Sequence, residues 1–166
     1  MNTKATVLLL FLFIANSYSQ EPYKKLPFAK NKCATTIIGN DIIANESIIE
    51  TEDSSITEIS VLKYKGHEEV QDLYNLTEHG MVFIRMTKKL EVKTQKELNQ
   101  FFGLPTTNEI YVDGYLLEKQ KFKIAVDCIV EIELVEPNLE NQLKSKTINV
   151  WTLNKEGRLK GCYSNN

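Results

Sequence analysis

The sequence predicts an α+β domain: a mixed β-sheet with helices on one face. Three observations lead there. Short runs rich in β-branched and aromatic residues, bounded by Gly, Asn, Asp and Pro, recur along the chain. Between them lie stretches with apolar residues at helical spacing. The order hairpin, strand, helix, strand occurs twice, over residues 35–89 and 108–155, so the domain reads as two copies of one unit.

The first copy opens with Thr35-Thr36-Ile37-Ile38, a turn at Gly39-Asn40-Asp41, and Ile42-Ile43. Ser54 and Ser55 stand as caps before Ile56-Thr57-Glu58-Ile59, and Ser60-Val61-Leu62-Lys63-Tyr64 reads as a buried strand. Gly66 releases the chain into a helix over 67–74, with Val70, Leu73 and Tyr74 on one face, and residues 81–86 form the next strand. Thr94 with Glu97 three places on forms a capping box, and Leu98, Phe101 and Phe102 make the apolar stripe of a connector helix that Gly103 and Pro105 end. The second copy starts with the strongest hairpin signal, Ile110-Tyr111-Val112, Asp113-Gly114, Tyr115-Leu116-Leu117. A strand over 129–135 answers 56–62, residues 137–143 take the place of the 67–74 helix, and a strand over 147–153 answers 81–86.

The first residues carry an address. Lys4, the apolar run at 7–14 and the small residues Ser17 and Ser19 read as a signal peptide over 1–19. Eight apolar residues are too few to span a bilayer, and no later run approaches the ~20 a spanning helix needs, so no transmembrane segment is expected in the mature chain. The expected location is the periplasm or the extracellular space. Residues 20–33, with two prolines and no apolar period, read as an extended leader outside the fold, and 34–166 as a single domain.

Charge is nearly balanced, with 20 basic and 22 acidic side chains and a net charge of −2, which gives no electrostatic footprint for nucleic acid. The three cysteines, Cys33, Cys128 and Cys162, allow one intramolecular bridge. A Cys33–Cys162 bridge would tie the two ends of the domain together. The other reading leaves all three thiols reduced and partly buried.

No catalytic residue, cofactor or metal site is assigned. His67 and His79 lack the spacing of a metal site, no serine sits in a Gly-x-Ser-x-Gly elbow, and no cysteine has an activating neighbour. Glu131 and Glu133 share a strand face but alternate with Val130, Ile132 and Leu134, so they read as a solvated face. Glu50, Glu52 and Asp53 read as a hydrated loop. Asn45-Glu46-Ser47 and Asn75-Leu76-Thr77 match the glycosylation acceptor pattern. Tyr111, Tyr115, Phe122 and Trp151 are the aromatics available for a binding patch, although a core position suits Trp151 better.

Residues 58–63, then Leu73-Tyr74, Val82-Phe83-Ile84 and Thr87-Lys88 resemble the plug domain of TonB-dependent outer-membrane receptors of the SusC-like kind. There, an I-x-x-I-x-V-L-K strand leads through a short helix and turn to a G-V-I-x-I-x-T-K strand. Ile110-Tyr111-Val112-Asp113-Gly114 is similar to the Y-V-V-D-G hairpin of that family, but here it heads the second copy. The chain departs from the pattern at Asn75, Glu78 and Met81, which replace glycines, and at Gly80, one place early. No barrel follows, so the transport role does not carry over.

The resemblance implies a free-standing plug-like module of a bacterial envelope, and an outer-membrane receptor or lipoprotein as partner. The expected function is therefore an exported, non-catalytic interaction module that uses a sheet edge or the 110–117 hairpin, with Tyr111, Asp113, Gly114, Tyr115 and Trp151 as contact residues. The alternative is a small-ligand or glycan-binding protein built on the rings of Tyr111, Tyr115 and Trp151.

Overall fold

The computed structural model describes residues 23–29, 32–63 and 68–160; the expected signal peptide, His67 and Cys162 lie outside the described residues. Ten strands run in chain order: β1 Thr35–Ile38, β2 Ile42–Ala44, β3 Ile56–Leu62, β4 Met81–Met86, β5 Val92–Thr94, β6 Ile110–Val112, β7 Tyr115–Leu117, β8 Lys123–Ala125, β9 Glu131–Val135 and β10 Thr147–Trp151. Helix α1 spans Ser47–Thr51, α2 Gln95–Phe101 and α3 Lys155–Lys160, with a 3₁₀ segment at Glu68–Thr77. The α+β class with mixed sheets is as expected, but the strands divide into two sheets.

The first sheet has the order β3-β4-β1-β2-β8-β5 and the second β7-β6-β10-β9. In the first, β1 pairs antiparallel with β2 and parallel with β4, and β4 pairs antiparallel with β3. In the second, β6 pairs antiparallel with β7 and parallel with β10, and β10 pairs antiparallel with β9. The two quartets thus share one order and one set of strand directions. Strands β8 and β5 extend only the first, through a parallel β2–β8 pair.

Alternation along the strands sorts the side chains onto two faces. Ile37, Ile43 and Ile124 of the first sheet and Ile110, Val112, Ile148 and Val150 of the second meet in one cluster, joined by Val70, Leu73 and Leu76 of the 3₁₀ segment and by Leu98 of α2. The opposite face of the first sheet, with Ile38 and Ile84, is closed by Ile48 of α1, Leu90 and Cys128. Helical segments therefore contribute to both faces. Helix α2 starts as its sequence requires: the Thr94 hydroxyl accepts from Glu97 N–H, and the Glu97 carboxylate accepts from Thr94 N–H.

Four local expectations are corrected. Residues 137–143 form turns rather than a helix, because Pro137 opens the segment and Asn138 and Asn141 hold local backbone N–H groups with their side chains. Of the strand read as buried at 60–64, residues 60–62 belong to β3, an edge strand whose Ile59 and Val61 are 46% and 58% exposed, and Tyr64 lies outside the described residues. Phe101, placed in the buried stripe of α2, is exposed, and Phe102 packs in its stead. The leader is not outside the fold: Leu26 is 1% exposed, and Lys25 forms a β-bridge with Tyr115.

Cys33 is disulfide-bonded and Cys128 is a buried free thiol, so the reading with three reduced cysteines does not hold. Burial raises the Cys128 thiol above its ordinary value. Among the described residues no helix is long and apolar enough to cross a membrane.

Candidate functional site

The β6–β7 hairpin is built as its Asp-Gly pair dictates. Asp113 and Gly114 both take positive φ, 51° and 88°, as a two-residue hairpin with the twist of its strands requires. The turn then points inward. Asp113 Oδ1 accepts from the backbone N–H groups of Thr152 (2.8 Å) and Leu153 (3.2 Å), while Oδ2 accepts from the Thr152 hydroxyl (2.6 Å). Gly114 N–H donates to Asn149 Oδ1 at 2.8 Å. A Cβ on Gly114 would lie 2.5 Å from Ala29 Cβ, so the leader passes where a side chain would stand. Burial raises the Asp113 pKa despite the hydrogen bonds from Thr152 and Leu153 and the nearby Arg158.

Residues 23–29 act as a strap along β7. Leu26 N–H donates to Gly114 O (2.8 Å) and Leu116 N–H to Lys24 O (2.9 Å), which occupies the edge of the second sheet. Leu26 enters a small cluster with Tyr111, Leu116 and Val135 that closes the outer face of that sheet. Asn75 joins strap to sheet: its Oδ1 accepts from Lys24 N–H (2.9 Å) and its Nδ2 donates to Leu116 O (3.2 Å). Asn45 Nδ2 likewise donates to Thr152 O, so both glycosylation-pattern asparagines are engaged inside the fold.

Glu78 is the polar hub beneath the strap. It accepts from Lys25 Nζ (2.6 Å) and from the Tyr115 hydroxyl (2.7 Å), and His79 Nε2 lies 3.8 Å away. Burial pushes the Glu78 carboxyl up, but hydrogen bonds from Lys25 and Tyr115 outweigh it and leave the pKa below the usual 4.5. Burial and the Glu78 charge raise the Tyr115 phenol. The cavity lined by Glu78, His79, Asp113 and Thr152 measures about 20 Å³, room for about one water rather than a substrate.

The depressed Glu78 pKa fixes a pH dependence. Its contribution is complete above the unfolded value near 4.5 and is lost as pH falls through the lower folded pKa. Wild type is expected to lose about 1 kcal/mol over that fall, and Glu78→Gln to lack the contribution already at neutral pH, which paired urea titrations from pH 7 to 3 would measure.

Trp151 is buried, with the Arg158 guanidinium 4.1 Å above its ring and Phe28 alongside at 5.8 Å. Its Nε1–H donates to Glu133 (3.1 Å), and Arg158 Nη1 donates to Glu131 (2.7 Å). The two glutamates expected to be merely solvated hold a tryptophan and an arginine. Sequence reasoning missed Arg158 because Glu131 lies 27 positions away on β9 and the ring it covers, Trp151, on β10, with no periodicity to mark them.

Tyr111, Asp113, Gly114, Tyr115 and Trp151 were expected to present a contact surface, and the fold draws them together for a different task. All but the half-buried Asp113 are buried. The 110–117 hairpin is an internal joint, and the ring-based ligand reading loses its surface.

No family model, curated protein or solved structure matches this chain.

Besides the strapped β7, the sheets end among the described residues in β3, β5 and β9, and of these β3 and β9 occupy the same position in the two quartets. Beside β3, Glu58, Arg85, Asp72 and Lys121 line a mixed-charge groove of about 540 Å³, with Arg85 paired to Glu58 (2.8 Å) and Lys121 to Asp72. Beside β9 lies a groove of about 650 Å³. Among the described residues no group of three or more His, Cys, Asp and Glu side chains is placed to hold a metal ion.

Proposed function

We propose that the protein is an exported, non-catalytic interaction module of a bacterial envelope that binds another envelope protein through an open sheet edge. The observation that carries this reading is β3. Among the described residues it is the longest strand, it ends its sheet, and no strand pairs its outer edge, where Ile59 and Val61 stand half exposed. Soluble proteins ordinarily shield such an edge with charge, a bulge or a covering element; this chain covers β7 with its strap, whereas at β3 the described residues supply only Glu58 and a register irregularity between Ile56 and Glu58. Addition of a partner strand would cover the apolar side chains and satisfy the backbone groups together. The signal-peptide reading supports export. The plug-like resemblance supports an outer-membrane receptor or its lipoprotein as partner, and of the two contacts expected, sheet edge and hairpin, the edge is the one kept.

The test is crosslinking and affinity capture of the tagged mature protein from fractionated cells of its native host, beside an Ile59→Lys/Val61→Lys variant of unchanged thermal stability. Recovery of a receptor or lipoprotein with wild type and its loss with the variant is the expected result. Recovery of wild type alone in the soluble fraction would sink the proposal.

A further inference from the structure

The β9 edge differs from β3 in the chemistry beside it. Its groove is lined by Phe28, Leu134 and Val135 together with Glu133, Glu136 and Glu140, with no lysine or arginine among the described lining residues. Phe28 and Leu134 are 40% and 41% exposed. Glu136 pairs with Lys146 at 2.5 Å and Glu133 accepts from Trp151, while Glu140 has no ion pair among the described residues. On its inner side β9 is fully paired with β10, from Glu131 opposite Trp151 to Val135 opposite Thr147; its outer side has no strand among the described residues.

We infer that the β9 edge and its groove bind an extended peptide segment of a partner protein in which lysine or arginine alternates with apolar residues. This rests on the interaction-module reading and assigns a second surface within it. Alternation decides the pattern. Glu131, Glu133 and Val135 share one face of β9 and Ile132 and Leu134 the other, so an added strand sets cations against Glu133 and apolar side chains against Leu134. Charge also disfavours two of the registers in which a second copy of this chain could pair here. Antiparallel self-pairing centred on Ile132 sets Glu131 against Glu133, and centring on Glu133 sets that residue against itself, and like charges directly opposite are destabilising.

The single tryptophan supplies the readout, since its indole is bonded to Glu133. The mature protein is titrated with a capped Lys-Val-Lys-Val-Lys-Val peptide and with its Glu-Val counterpart, followed by Trp151 fluorescence and by amide exchange at residues 131–135. A saturable change and slowed exchange with the lysine peptide alone are expected. Glu140→Lys, a change at an exposed turn, should weaken binding about tenfold, and Leu134→Lys likewise, whereas Ile59→Lys/Val61→Lys should leave it unchanged.

Equal response to both peptides, no response, or indifference to Glu140→Lys overturns the inference, as does concentration-dependent dimerisation abolished by Leu134→Lys. Native-host capture separates the two readings. Capture lost with the β3 variant but intact with Glu140→Lys and Leu134→Lys leaves the module standing and removes the β9 site.

Discussion

Asp113→Ala is expected to lower the unfolding free energy by about 4 kcal/mol, the largest effect of any single substitution considered. The carboxylate gathers the backbone N–H groups of Thr152 and Leu153 and the Thr152 hydroxyl, and both of those residues are buried. Alanine leaves two buried amide donors without their acceptor, each costing roughly 1–3 kcal/mol. It also places a Cβ-only residue at φ 51°, a conformation that Asp and Asn tolerate through their short polar side chains. Asp113→Asn keeps the shape and one acceptor oxygen, and should cost about 1 kcal/mol.

The same pair carries a pH signature opposite in sign to that of Glu78. The folded Asp113 holds its proton more tightly than the unfolded chain, so its contribution is complete below the unfolded value near 3.8 and declines as pH rises through the higher folded pKa. The stability difference between Asp113→Asn and wild type should therefore shrink as pH rises through that window. A difference that grows as pH rises would show that the hydrogen bonds outweigh burial in setting the carboxyl's affinity for its proton, and one independent of pH would show that the two cancel.

How much of this was legible in the sequence depends on the range of the forces involved. The α+β class, the Asp113-Gly114 hairpin and the Thr94–Glu97 capping box were readable because each is encoded within a few residues. The repeat reads as a spacing; the two strand quartets carry matching pairings, but residues 137–143 supply no second helix. The side of the sheet on which each element would lie was not readable. Ile59 and Val61 have the same composition as a buried strand, and only the position of β3 at the end of its sheet leaves them exposed. Tyr111, Tyr115 and Trp151 looked available for binding because aromatic residues suit interfaces and cores equally. Their fate was decided by residues far away in sequence: Leu26 over Tyr111, Glu78 on the Tyr115 hydroxyl, and Arg158 over Trp151.

The strap is the sharpest case of that long-range dependence, and Leu26→Asp tests it. The prolines at 22 and 27 suggested an idle leader, yet a segment that completes a sheet edge needs no periodicity of its own, because the pattern it satisfies belongs to β7. Burying an unpaired carboxylate among Tyr111, Leu116 and Val135 is prohibitive, so the variant strap should lift away rather than stay docked. The loss is then bounded by the strap's own docking free energy. That energy comprises the burial of Leu26 and Ala29, three hydrogen bonds at 2.8–2.9 Å and the Lys25–Glu78 pair, together about 3 kcal/mol after the ordering of its backbone. Urea unfolding of Leu26→Asp should show that drop, and limited proteolysis under native conditions should cut the variant after Lys24 or Lys25 much faster than wild type. Because Cys33 is disulfide-bonded, the chain beyond the strap stays anchored and the body should remain folded. A drop below about 0.5 kcal/mol, the range of ordinary surface substitutions, with unchanged cleavage would mean that the strap lies on the sheet without stabilising it. In that case the β7 edge would join β3, β5 and β9 as a further place where a partner strand can add.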